Sequence, residues 1–105
     1  MQLVRLQDAP RFEPPRTNGR EGVTYHDLLV GREGTPDNFC LQLVTVNSGY
    51  STGRHRHNFE QVRVVLDGSF GFGPGLAQPA GTVGYFCEGT HYTQQGDGRS
   101  RTLLL

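Results

Sequence analysis

The sequence predicts an all-β domain, and three observations support this. The 105 residues include 15 glycines and six prolines and are only 34% hydrophobic, which suits many short strands and turns better than a helical bundle. Strand-like apolar runs of about five residues recur at roughly ten-residue spacing, as in sandwiches and barrels. Helical spacing is everywhere broken by glycine or proline. A chain of this length is expected to form one domain.

The first half of the chain predicts an extended arm followed by two strands. Residues 1–22 are interpreted as an N-terminal arm, in which Pro14 and Pro15 bar both helix and central strand. The domain proper is predicted to span residues 23–105. Its first strand is Val23–Val30, and the apolar, β-branched run 39–47 follows after a loop with two glycines and a proline.

The second half predicts a hairpin and three further strands. The run "QVRVVL" at 61–66 is followed by Asp67-Gly68 and then "SFGFG", a pattern typical of two antiparallel strands joined by a tight turn. Additional short strands are predicted at 82–86, 91–94 and 101–105.

Charge and hydropathy exclude two classes of partner and leave a small-molecule ligand as the expectation. Ten Lys and Arg balance ten Asp and Glu, so the composition indicates no basic surface for nucleic acid or anionic membrane. No apolar run approaches the ~18 residues of a membrane span, and no secretory signal is visible, so a cytoplasmic protein is expected. Cys40 and Cys87 are too few for a disulfide scaffold and are expected to be buried free thiols.

The stretch "GYSTGRHRHNFEQVRVVLDG", residues 49–68, contains a candidate metal site. Side chains at i and i+2 of a strand project to the same side, so His55 and His57 would lie close enough to share a small cation. Neutral imidazole is a good ligand for Fe, Mn, Ni, Zn or Cu. Gln61 has the same strand parity, whereas Glu60 would point away unless a bulge re-aims it.

This stretch resembles the first motif of the cupin superfamily, which has a glycine, a His-x-His pair, a glutamate and a closing glycine at fixed spacing. Gly49, His55, His57 and Gly68 match these positions, and Gln61 stands where the motif has glutamate.

The stretch 81–95 resembles the second cupin motif more loosely. Cys87 replaces the motif's proline, and His91 is the candidate histidine, although it arrives one residue early.

The resemblance covers residues 39–105 and implies a small jelly-roll (double-stranded β-helix) cupin barrel with a metal at its mouth. Carried over residue by residue, it implies that His55, His57, Gln61 and His91 bind a divalent transition metal. An amide oxygen is neutral and a weaker donor than a carboxylate, so Gln61 lowers the expected affinity. The alternative is that the histidines are hydrogen-bonding walls of a pocket without metal.

Arg63 shares the strand parity of the histidine pair and would enter the barrel. A buried guanidinium needs an anionic partner, and two interpretations of that partner remain open. Arg63 binds the carboxylate or phosphate of a small substrate, or it pairs with one of Glu60, Asp67 and Glu88 at the barrel rim.

Two classes of function remain open from the sequence. A metal with open positions would support oxygenase, isomerase or lyase chemistry on a small polar or carboxylated molecule. The other class is a non-catalytic ligand-binding or sensing barrel with weak or no metal. The absence of a secure carboxylate inside the barrel leaves enzyme status undecided. A homodimer is also expected, in which the arm before Val23 can pair with a partner's sheet and cover an edge strand.

Overall fold

The computed structural model describes residues 1–14, 22–47, 49–96 and 98–105, and it confirms the all-β prediction. Part of the predicted N-terminal arm, residues 15–21, lies outside the described residues. Besides one 3-10 turn at Leu6–Asp8, the regular structure consists of short strands. They are β1 (Arg11–Phe12), β2 (Val23–Val30), β3 (Cys40–Val46), β4 (Gln61–Asp67), β5 (Ser69–Gly71), β6 (Ala77–Pro79), β7 (Val83–Phe86), β8 (Gln95–Gly96) and β9 (Ser100–Leu104).

The strands form two antiparallel sheets with the core between them. The larger sheet has six strands in the order β1-β2-β3-β9-β4-β7, and the smaller has three in the order β6-β5-β8. Phe70, on the smaller sheet, is 0% exposed and belongs to one buried cluster with Val44, Val46 and Val65 of the larger sheet. Each such valine contributes about 1.5 kcal/mol by leaving water, so this cluster is what holds the two sheets together.

Strand alternation decides which side chains reach the interior. In β4 every second residue is buried, namely Gln61, Arg63 and Val65. Val65 pairs across the sheet with Thr102 of β9, which in turn pairs with Val44 of β3. The inward face of β4 therefore starts polar at Gln61 and ends apolar at Val65.

Most of the predicted strands are found, but the predicted hairpin is wrong. β4 pairs with β7 and β9, whereas β5 pairs with β6 and β8, so the two neighbours in sequence lie in different sheets. Only Gly68 separates them, which is too short for the two-residue loop of a tight hairpin. Its φ of 72° turns the chain out of one sheet and into the other. The predicted strand at 91–94 forms only an isolated bridge, between Tyr92 and His55.

The described part of the N-terminal arm returns to its own chain. β1 pairs with β2, and the Phe12 ring stacks on Tyr25 with ring centres 5.0 Å apart. The arm therefore covers the β2 edge within one molecule, where we expected pairing with a partner's sheet. The homodimer itself stays a prediction.

The two cysteines lie in different surroundings from those predicted. Cys40 and Cys87 are free, but both are exposed, so their predicted burial is wrong. Cys40 begins β3 and Cys87 follows the end of β7, where the sheet no longer covers them.

Within the described ranges, no helix is long and apolar enough to cross a membrane.

Gly68→Ala should destabilise the fold more than Gly75→Ala. Both glycines have positive φ, 72° and 69°, so an alanine at either pays roughly 1–2 kcal/mol for the left-handed backbone. A Cβ at Gly68 would also overlap the Arg99 carbonyl oxygen and lie 2.8 Å from Ser100 Cβ, whereas a Cβ at Gly75 meets nothing within 4 Å. Urea unfolding of the two variants measures the difference, and equal losses of unfolding free energy would contradict the close approach at Gly68.

Candidate functional site

The histidine pair lies just before β4, in an extended segment tied to the second motif region. The backbone of His55 exchanges two hydrogen bonds of 3.0 Å with Tyr92. The His55 and His57 rings meet edge to face, with centres 5.1 Å apart. Two imidazoles with nitrogens about 2.1 Å from a shared ion have ring centres about 5 Å apart. The pair therefore has the spacing that a shared ion requires.

A hydrogen bond fixes the tautomer of His55. Its Nδ1 lies 2.8 Å from the carbonyl oxygen of Gly53, with the Thr52 hydroxyl 3.3 Å away. A carbonyl oxygen can only accept, so Nδ1 carries a proton, and in the neutral ring Nε2 is then the nitrogen with the free lone pair. Metal-binding histidines are held in the same way, by a carbonyl or carboxylate on the nitrogen that does not bind the metal.

His57 is held in its neutral form. Burial lowers its pKa below the usual value of 6.5, and the neighbouring His55 and Arg63 lower it further. The lowered pKa favours the neutral ring, whose lone pair can bind a metal.

Tyr92 faces the histidine pair, and His91 does not. The Tyr92 side chain is 6% exposed, and its ring centre lies 4.7 Å from that of His55 and 5.9 Å from that of His57. His91 is exposed, because consecutive residues of an extended chain project to opposite sides. Within the described ranges, no three His, Cys, Asp or Glu side chains come together in a way that could hold a metal. Of the predicted set, His55 and His57 lie side by side, Gln61 is linked to Tyr92 beside them by a hydrogen bond, and His91 is exposed.

Sequence reasoning missed Tyr92, although the motif spacing contains the signal. The second cupin motif places its histidine three residues after its glycine, and three residues after Gly89 is Tyr92. Preferring His91 for its residue type overrode this count.

Gln61 points inward, as its parity predicts, but its oxygen already has a partner. The side chain is 4% exposed, and its Oε1 accepts a hydrogen bond of 2.8 Å from the Tyr92 hydroxyl. That hydroxyl accepts a longer bond of 3.4 Å from Gln94 Nε2, and Gln94 Oε1 accepts one of 2.8 Å from Tyr50. These four side chains form a continuous hydrogen-bonded chain inside the barrel.

Arg63 is also inside, 3% exposed, and its charge is not balanced by an ion pair. Its guanidinium carbon lies 5.5 Å from the centre of the Phe70 ring, and its buried Nε has no hydrogen-bond partner. Burial lowers the pKa of the guanidinium, while nearby tyrosines, first Tyr92, oppose this effect. Among the described residues, no carboxylate forms an ion pair with Arg63.

Two of the three rim carboxylates considered as partners of Arg63 are engaged elsewhere. Asp67 accepts a bond of 2.6 Å from Arg101 Nε, which lowers the pKa of its carboxyl group. Glu60 hydrogen-bonds Tyr85 and thereby raises the pKa of that phenol. Glu88 lies at the mouth of the barrel. The ion-pair interpretation of Arg63 is therefore not realised in this structure.

A pocket of about 430 Å³ opens beside His57 at the barrel mouth. It is lined by Arg56, His57, Asn58, Glu88 and Gly89, so it has one charge of each sign at its entrance. Arg63 is not part of this lining and lies deeper. A small molecule in the pocket would contact His57 first.

Comparison with known proteins supports the fold through structures alone. No family model matches the sequence, and no curated protein matches it. The structure is similar to a polyketide cyclase from Streptomyces resistomycificus, at 24% identity and a TM-score of 0.76, covering 99% of this chain and 77% of that one.

Two further solved structures show the same likeness. A predicted oxalate decarboxylase from Thermotoga maritima is 22% identical, with a TM-score of 0.74 over 98% of this chain and 96% of that one. An RmlC-like cupin from Shewanella frigidimarina NCIMB 400 is 14% identical, with a TM-score of 0.74 over 99% and 87%. The predicted small jelly-roll barrel is confirmed, and identities this low establish the fold and no activity.

Arg63→Met should not destabilise the protein. Methionine fills much of the same space without a buried charge, so we expect the unfolding free energy to rise by about 1 kcal/mol. Arg101→Met, which removes the exposed ion pair with Asp67, is the matched control and should cause a small loss. Urea denaturation measures both. A loss of more than about 2 kcal/mol in Arg63→Met would show that unrecognised contacts compensate the guanidinium.

Proposed function

We propose that this protein, a barrel with the cupin fold, binds a divalent transition metal through His55 and His57 and acts on a small polar or carboxylated molecule. The observation that carries the proposal is the hydrogen bond from His55 Nδ1 to the Gly53 carbonyl, which leaves Nε2 ready to bind a cation. Fe, Mn, Ni, Zn and Cu all suit imidazole nitrogen. The reaction class is that of an oxygenase, isomerase or lyase.

The donor set fits a metal in type and in spacing. Two imidazoles stand 5.1 Å apart between ring centres, and the buried Gln61 oxygen is hydrogen-bonded to Tyr92, whose ring lies beside both. Gln61 can bind only if it exchanges its hydrogen bond with Tyr92 for the ion. A bound metal would supply Lewis-acid or redox chemistry at this point.

The charges around the site favour an anionic substrate. Gln61 is neutral, partial burial favours the neutral form of His57, and Arg63 adds one positive charge without an ion-pair partner in the described structure. A dication would bring the total to three positive charges, and uncompensated charge in a buried site is costly. A substrate carboxylate entering by the mouth pocket would reduce this charge.

The mouth pocket also contributes a candidate proton acceptor. Glu88 lines it together with His57, so a carboxylate lies on the path by which a substrate would approach the pair. Sequence reasoning placed no secure carboxylate inside the barrel, and Glu88 at the entrance answers part of that need. Arg56, on the same pocket, would orient a substrate anion.

A non-catalytic ligand-binding barrel is the second candidate, and one observation favours it. The Gln61 oxygen is satisfied by Tyr92 without any metal, as expected for a polar wall that needs no ion. Two structures of the same fold are named as a polyketide cyclase and a predicted oxalate decarboxylase, which supports catalysis.

Zinc binding should depend on His55 and not on His91. Calorimetric titration of the tag-free chain with Zn²⁺ should give one site, weakened roughly a hundredfold in His55→Ala because one donor is lost. His91→Ala removes the same side chain from an exposed position and should leave the affinity unchanged. Equal affinities for Zn²⁺ in the wild type and His55→Ala would contradict a metal site at His55 inside the barrel.

Catalysis is tested separately from binding. We expect the metal-loaded protein to turn over a member of a panel of small carboxylic acids, diols and phenols, and Glu88→Gln to slow that turnover. A loaded protein that binds panel members and converts none would establish the ligand-binding candidate instead.

A further inference from the structure

We infer that Tyr92 is a ligand of the metal, binding through its phenolate oxygen together with His55 and His57. The inference rests on the proposed metal site and adds to it an anionic donor from the strand facing the pair. It therefore defines the site as two imidazoles and one phenolate, with Gln61 as a neighbouring neutral donor.

The backbone holds Tyr92 directly opposite the pair. Two hydrogen bonds of 3.0 Å between His55 and Tyr92 make these residues cross-strand partners, and partners in an antiparallel pair project to the same side. The Tyr92 ring is buried and contacts the rings of both His55 and His57, which are partly exposed. Its position is fixed by backbone pairing and does not depend on a chosen rotamer alone.

The oxygen of Tyr92 stands at the separation of two ligands on one ion. Its distance to Gln61 Oε1 is 2.8 Å. Donors about 2.1 Å from one cation, at right angles to each other, are about 3 Å apart. Metal binding then amounts to an exchange: the O–H bond of Tyr92 breaks, the proton leaves to buffer, and the oxygen bonds the cation in place of that proton. No electron is transferred.

The surroundings of Tyr92 suit an anionic oxygen. Gln94 Nε2 donates to the hydroxyl at 3.4 Å, and Tyr50 holds Gln94 in place through a bond of 2.8 Å to Oε1. Of the tyrosines near Arg63, Tyr92 does most to raise the pKa of the guanidinium against the effect of burial. A phenolate at this position would give Arg63 the negative neighbour that no described carboxylate supplies.

The negative charge of a Tyr92 phenolate would replace that of the glutamate for which Gln61 stands in this chain. A phenolate reduces the total charge of dication and Arg63 from three positive charges to two. It does so from the facing strand, so the metal site does not depend on a carboxylate at position 61.

Zinc titration with spectroscopic detection tests the inference, because Zn²⁺ has no near-ultraviolet absorption of its own. We expect one equivalent of Zn²⁺ to give the wild type the difference spectrum of a tyrosinate, complete when the site is full. Tyr92→Phe should lose this signal and bind Zn²⁺ more than roughly tenfold more weakly. Tyr85→Phe, an equal change at an exposed tyrosine of β7, should keep both signal and affinity.

The outcomes separate this inference from the proposed function. Zinc bound through His55 without a tyrosinate signal, and with equal affinity in Tyr92→Phe, overturns the role of Tyr92 and leaves the histidine site standing. A wild type that binds no zinc overturns both. Should Tyr92→Phe fail to fold, the decision passes to the wild-type signal, which must disappear in His55→Ala and persist in Tyr85→Phe.

Discussion

The inward face of β4 imposes the constraint on which the site depends, because it carries Gln61 and Arg63 into the barrel beside a core of valines and aromatic rings. Buried polar groups are costly unless they find partners. Tyr92, Gln94 and Tyr50 connect Gln61 to one continuous hydrogen-bonded chain, with two O–O bonds of 2.8 Å and one longer N–O bond of 3.4 Å. Arg63 keeps an unpaired Nε, a local cost that a purely structural core would have no reason to retain.

This arrangement changes how the departure from the cupin motif is interpreted. Glutamine in place of glutamate removes a negative charge from β4, which alone weakens the case for a metal. The structure places a phenol across from the histidine pair at the position that the second motif gives to histidine. We propose that the negative charge is supplied instead by Tyr92, on the segment that pairs with His55. The two imidazoles, the phenol and Arg63 then form one electrostatic unit.

Local pattern predicted the strands and their faces well, because two-residue alternation is a property of the backbone. It placed Gln61 and Arg63 inside, and both are buried. The pairing of strands was harder to predict from local pattern. Asp67-Gly68 has the sequence of a hairpin turn, yet the partners of the strands on either side of it are decided by contacts distant in sequence. His91 was preferred for its chemistry, although backbone register selects Tyr92. The partners of Arg63 depend on three-dimensional placement that no spacing encodes.

Anomalous diffraction from zinc-loaded crystals of the tag-free protein tests the central claim most directly. The account predicts one zinc ion inside the barrel, within about 2.1 Å of His55 Nε2 and a ring nitrogen of His57, with the Tyr92 oxygen completing the protein donors. Zinc found only at exposed groups such as Cys87 or His91, with the Tyr92 hydroxyl still bonded to Gln61, would contradict it.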